Sequence, residues 1–121
     1  MKNHEPMIVV VDPDEDRATA LSSQLDRRGY YVVRRSSGAD AVQCAAEYHP
    51  DLVLSRPELA DLENPELLRS IHDASPSTQV LFVPTNRPDD DGTAGRIGVT
   101  IGNVPEGGEV LELTVDRLLH R

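Results

Sequence analysis

The chain reads as an α/β domain built on a parallel sheet of five strands, and three observations carry that reading. Short runs of β-branched and aliphatic residues recur along it: Met7–Val11, Tyr31–Val33, Leu52–Leu54, Val80–Val83 and Val99–Ile101. Most lack the in-out alternation of a half-wet strand, which suits strands covered on both faces. Between the runs lie segments with apolar residues at helical spacing, and strands alternating with helices at this interval mean βαβ units. Size is the third observation: 121 residues can close one core but not two, so residues 1–121 are expected to form one domain.

The first helix is expected from about Glu15 to Arg28, with Ala18, Leu21 and Leu25 on one side and Gly29 as its stop. The second, Ala39 to Tyr48, carries Ala41, Val42, Ala45 and Ala46. Pro65, suited to a first helical position, opens a third through Leu68 and Ile71 to about Ala74. The last, from about Gly108 to His120, gathers Val110, Leu111, Val115 and Leu118 and closes on Arg117, His120 and Arg121, cations that suit the negative end of a helix. Pro84 to Arg96, where a fourth of five helices should stand, holds two prolines, two glycines and three successive aspartates. That helix is expected to be short or missing.

Composition narrows the function classes. With 38% hydrophobic and 27% charged residues the chain falls in the globular range, and with 3% aromatics its core must come mainly from Val, Leu, Ile and Ala. A formal charge of −9 speaks against a nucleic-acid partner, because that binding depends on cations neutralising phosphates. Cys44 is the sole cysteine, so no internal disulfide forms; it reads as a small apolar residue on a helix face in a reducing, cytoplasmic setting. The first apolar run is too short for a signal-peptide core, and no stretch approaches the roughly 20 apolar residues that span a bilayer, so no membrane partner is expected.

The order from Ile8 to Leu59 is specific: strand, acidic turn Asp12-Pro13-Asp14, helix, Arg28-Gly29-Tyr30, strand, Ser37-Gly38-Ala39-Asp40-Ala41, helix, His49-Pro50-Asp51-Leu52-Val53-Leu54. It resembles, without a gap, the receiver domain of two-component response regulators; the remainder of the chain matches less closely. The resemblance implies a doubly wound, flavodoxin-like sheet of strand order 2-1-3-4-5, with ligands beyond the carboxyl ends of its first and third strands. Here that crevice is walled by Asp12, Pro13 and Asp14 and by Ser55, Arg56, Pro57 and Glu58.

In that family two acids after the first strand and an aspartate after the third hold Mg²⁺ through oxygen ligands. The aspartate takes a phosphoryl group, whose charge the metal and a lysine after the fifth strand neutralise. A Ser or Thr after the fourth strand reads the phosphate, coupled to an aromatic on the fifth. Carried across, Asp12 matches the first acid, the second falls on Pro13, and the nucleophile falls on Arg56. The hydroxyl position falls on Pro84, with Thr85 adjacent if the strand end shifts by one; the lysine position, before the matching Pro105, falls on Val104, and the aromatic on Ile101. Asp14, one place beyond Pro13, starts a helix and points elsewhere.

The resemblance thus implies a receiver without its chemistry: not an enzyme, without cofactor, and with Mg²⁺ binding lost. Arg56 either pairs with Asp12, and with Glu58 or Asp14, supplying the metal's missing charge, or reaches solvent as a loop cation. Asp51 and Asp61 read as solvated turn carboxylates. His4, His49, His72 and His120 have no ligand spacing and read as surface histidines. Asp89–Asp91 lacks the alternating ligands of a calcium loop, and Gly102, Gly107 and Gly108 form no phosphate-binding signature.

The expected function is a phosphorylation-independent signalling domain that binds a protein partner: a kinase, an output domain, or a second copy in a homodimer. Its interface is expected on the first and last helices around Leu25 and Leu118. The alternatives are an anion or small-ligand pocket anchored by Arg56, and a weakly phosphorylatable receiver with a displaced site.

Overall fold

The computed structural model describes residues 5–57, 59–83 and 108–119. Along them run β1 (Met7–Val11), α1 (Glu15–Asp26), β2 (Tyr31–Arg35), α2 (Gly38–Tyr48), β3 (Leu52–Ser55), α3 (Asn64–Ala74), β4 (Gln79–Phe82) and α4 (Gly108–Leu118). The described strands make one parallel sheet in the order β2-β1-β3-β4. The fifth strand expected at Val99–Ile101 and the weak helix expected within Pro84 to Arg96 lie outside the described residues.

Because successive strand residues point to opposite faces, the apolar runs feed two cores. Ile8, Val10, Leu52, Leu54, Leu81 and Val83 meet Ala18, Leu21 and Leu25 of α1 and Val115 of α4. Val9, Val11, Val53, Val80 and Phe82 meet Ala41, Cys44 and Ala45 of α2 and Leu67, Leu68 and Ile71 of α3. The sheet is therefore wound on both faces, with α1 and α4 on one and α2 and α3 on the other. Burial pushes the Cys44 thiol pKa up, as befits a residue serving as a small hydrophobe.

The helix ends follow local chemistry. Asp14 caps α1 by accepting from the Arg17 amide at 3.0 Å, and Gly29, at φ 95°, takes the left-handed conformation that turns the chain into β2. Helix α1 stops at Asp26, two residues short of expectation, because that turn begins at once. Ser37 caps α2 through the Asp40 amide at 3.2 Å, and Pro65 stands in the first turn of α3. β2 runs on to Arg35 as an edge strand with Tyr31 and Arg34 exposed; charges of this kind discourage another chain from pairing with the edge.

Three polar contacts seat α4. Asp116 accepts from the Tyr30 hydroxyl and from the Arg28 guanidinium, and the Gln79 amide donates to the Leu118 carbonyl at 3.0 Å. Leu25 is wholly buried and Leu118 packs beside it against the same core. The expected interface around Leu25 is therefore corrected: the sheet takes that side chain.

At the amino ends of the strands a directional chain ties two loops together. Thr78 Oγ1 donates to the Pro50 carbonyl at 2.6 Å, so it accepts from Ser75 Oγ at 2.6 Å, which in turn accepts from His49 Nδ1 at 3.1 Å. His49 is exposed, as expected of a surface histidine, and its ring nevertheless joins this chain; its backbone, at φ 49°, ends α2 in the left-handed region. Thr78→Val keeps the shape but removes the side-chain donor of the buried Pro50 carbonyl and the acceptor of the Ser75 hydroxyl. The variant should lose about 1–3 kcal/mol of stability in urea denaturation.

Candidate functional site

Asp12 and Arg56 stand side by side because β1 and β3 end level. Val11 is in register with Ser55, and one residue further the Arg56 amide donates to the Val11 carbonyl at 3.0 Å. On the other flank the Asp12 amide donates to the Arg35 carbonyl at 3.0 Å. Since β1 lies between strands reached in opposite directions along the sheet, this crest is the topological switch point where an open α/β sheet opens its crevice.

The Asp12 side chain is 7% exposed, and both of its oxygens are engaged. Oδ1 accepts from the Asp14 amide at 2.8 Å and from Arg17 Nη2 at 3.0 Å, while Oδ2 accepts from Arg17 Nε at 2.8 Å. This fork-on-carboxylate geometry is the strong form of an ion pair. Arg17 also approaches Asp14 at 3.5 Å. The bond from the Arg17 amide, the Arg17 charge and the more distant Arg56 charge hold the Asp14 carboxyl below its ordinary 3.8.

The expected Arg56–Asp12 pair is therefore corrected: Arg17 holds Asp12. Arg56 is half-buried, and its Nη1 is enclosed without a hydrogen-bond partner. It borders a cavity of about 10 Å³ lined by Val10, Val11, Asp12, Leu21, Leu54, Ser55 and Val83, room for about one water. Its carbonyl accepts from the Ser55 hydroxyl at 2.8 Å. Pro13 and Asp14 are exposed on the turn. Glu58, Pro84, Thr85, Ile101, Val104 and Pro105 lie outside the described residues.

Asp61 is exposed on its loop, as expected, and Asp51 is half-buried, but both carboxylates also bond main-chain amides. Asp51 Oδ2 accepts from the Met7 amide at 2.8 Å, pinning the start of β1. Asp61 reaches the amino end of α2, where its oxygens accept from the Gly38 and Ala39 amides at 3.0 and 2.9 Å. Those two bonds, Ala39 first, hold its carboxyl below 3.8. The approach favours a glycine: a Cβ on Gly38 would come within 2.8 Å of Leu62 Cδ1 and 3.1 Å of Asp61 Oδ1, so both side chains would have to shift. Neither Arg17 nor Asp61 was singled out from the sequence as a pairing residue. The five-residue step from Asp12 and the 23-residue step to Gly38 match no local pairing rule.

The chain belongs to the response regulator receiver domain family, whose sequence pattern matches residues 8–99, and its parallel α/β sheet is the flavodoxin-like receiver fold. It is 36% identical over 62 residues to the transcriptional regulatory protein KdpE of Mycobacterium tuberculosis (strain CDC 1551 / Oshkosh), across 51% of this chain and 27% of that protein. It is 27% identical over 66 residues to the polar-differentiation response regulator DivK of Brucella ovis, across 54% of each. The chain thus spans about half or less of the length of these curated relatives. The crystal structure of a two-component response regulator from Clostridium difficile superposes with a TM-score of 0.83 at 20% identity, covering 97% of this chain and 98% of that one. Among the described residues no helix is long and apolar enough to cross a membrane.

Two outcomes follow from this geometry. Arg56→Met keeps the apolar stem and removes the enclosed, unpartnered donor, so stability should be equal to the parent or higher by up to about 1–3 kcal/mol in chemical denaturation. Asp61→Asn should lower stability at neutral pH. Because the folded carboxyl titrates below 3.8, its contribution is fully present above that value and is lost as pH falls through the depressed one. Denaturation midpoints of parent and variant should therefore converge in acid.

Proposed function

We propose that the chain is a phosphorylation-independent receiver domain that signals by binding a protein partner: a kinase, an output domain or a second copy of itself. The observation that carries this reading is Arg56. Its amide is locked to the Val11 carbonyl at the end of β3, so the residue beside Asp12 at the crest is an arginine. Receivers resembling this chain carry their reactive aspartate at that position, and a guanidinium has no atom that attacks a phosphoryl group. Pro13 likewise stands where a second acid belongs and offers no side-chain ligand. With no group there to modify, the reading assigns the domain a single signalling state, recognised through its surface.

A second reading, a small anion bound at the crest, is favoured by one observation, the enclosed and unpartnered Arg56 Nη1. The neighbouring cavity of about 10 Å³ is too small for a phosphate, so the ion would approach from the open side. A thermal shift with inorganic phosphate that Arg56→Met abolishes would favour this pocket.

The principal reading is tested with acetyl phosphate and Mg²⁺. Intact-mass spectrometry should show the chain unmodified, and Arg56→Asp alone should remain so, since Pro13 leaves the metal one acid short. A hydroxylamine-labile phosphoryl adduct on the parent chain would overturn it.

A further inference from the structure

The Mg²⁺ that the receiver family implies does not fit the residues at this crest, and Arg17 supplies the reason. A carboxylate has about four lone-pair positions. Three of those on Asp12 are taken, by the Asp14 amide and by Nε and Nη2 of Arg17. The carboxylate is 7% exposed, so little of it is open to a further ligand. Pro13 brings no oxygen on its side chain, and Arg56 brings a second positive charge to the same crevice. Among the described residues no three His, Cys, Asp or Glu side chains converge on a point where an ion would sit.

We propose that Arg17 is the resident cation of this crevice: its guanidinium occupies the place of a divalent ion on Asp12, closes the site to divalent metals and fixes it in one charge state. The proposal deepens the phosphorylation-independent reading and rests on it. Asp12, almost wholly buried as a carboxylate, requires a cation, and an internal one on the first turn of α1 is always present. The fork geometry also makes Arg17 specific, because a lysine brings the charge without the paired donors. The domain's state is therefore independent of the Mg²⁺ concentration around it.

Mn²⁺, followed by water-proton relaxation, is the probe. The parent chain should show no site that depends on Asp12. On a Pro13→Asp, Arg56→Asp background, which supplies the missing acids and removes the second cation, Arg17→Ala should gain a Mn²⁺ site roughly tenfold tighter than the same background with Arg17 intact, and adding Asp12→Asn should abolish it. An Asp12-dependent site on the parent would overturn the proposal, and so would a folded triple variant that binds Mn²⁺ no more tightly than its Arg17 background. Should the triple variant not fold, the parent still decides. The Arg17 Nε–H resonance should stay in place under millimolar Mg²⁺, and a saturating shift would overturn the lock. The two readings fail separately: a phosphoryl adduct would sink phosphorylation independence with the lock intact. Mn²⁺ on Asp12 of the parent would sink the lock while Arg56 still leaves no nucleophile beside it.

Discussion

The parallel ladder between β1 and β3 is the contact on which the rest of the molecule depends. Its pairs run from Ile8 with Leu52 to Val11 with Ser55, and every one of these residues is buried. Buried backbone donors and acceptors must find partners, and on two interior strands the ladder supplies them. Register then decides everything sideways of it. A slip of one residue would send Leu52 and Leu54 toward α2 and α3, and Val53 toward α1, exchanging the contents of both cores. The same register ends both strands at one level, which is why Asp12 and Arg56 are neighbours across the crest.

Electrostatics at that crest is settled by reach. Asp12 is buried at the start of an exposed turn, and its carboxylate accepts the Asp14 amide just as Asp14 caps α1. That double turn brings the first coil of α1 back over the strand end, so Arg17 arrives with two donors aimed at one carboxylate. Arg56, fixed by its backbone on the far side, is left with Asp14 as a distant counter-charge and with Leu21, Leu54 and Val83 beside its stem. Its long apolar methylene chain makes that placement tolerable.

Much of the fold was legible because the apolar runs announce it. Four of the five expected strands are present within two residues of their anticipated bounds, as are α2 and α3, since β-branched runs and helical spacing reflect the same burial that stabilises them. Leu25 was misassigned to an interface for a related reason. An amphipathic stripe shows that a helix has an apolar side, and only the assembled sheet shows what covers it. The site was less legible. Asp12 and Arg56 could be placed by the strand ends, but their partners could not. Arg17 reaches Asp12 across a turn, and Asp61 reaches Gly38 across the whole of α2 and β3, by geometry that exists only once the sheet has formed.

That separation also explains how a receiver fold tolerates Pro13 and Arg56. At position 13 the turn needs no backbone donor, because it is the Asp14 amide that bonds Asp12, so a proline without an N–H costs the turn nothing. At position 56 the ladder uses the amide and the Ser55 hydroxyl uses the carbonyl. Both are main-chain groups, indifferent to what the side chain carries. Asp12, by contrast, builds structure with its side chain: it organises the turn into α1 and anchors Arg17. Sequence change is therefore inexpensive at 13 and 56 and constrained at 12. The Asp12 carboxylate is one that the fold of this turn itself uses.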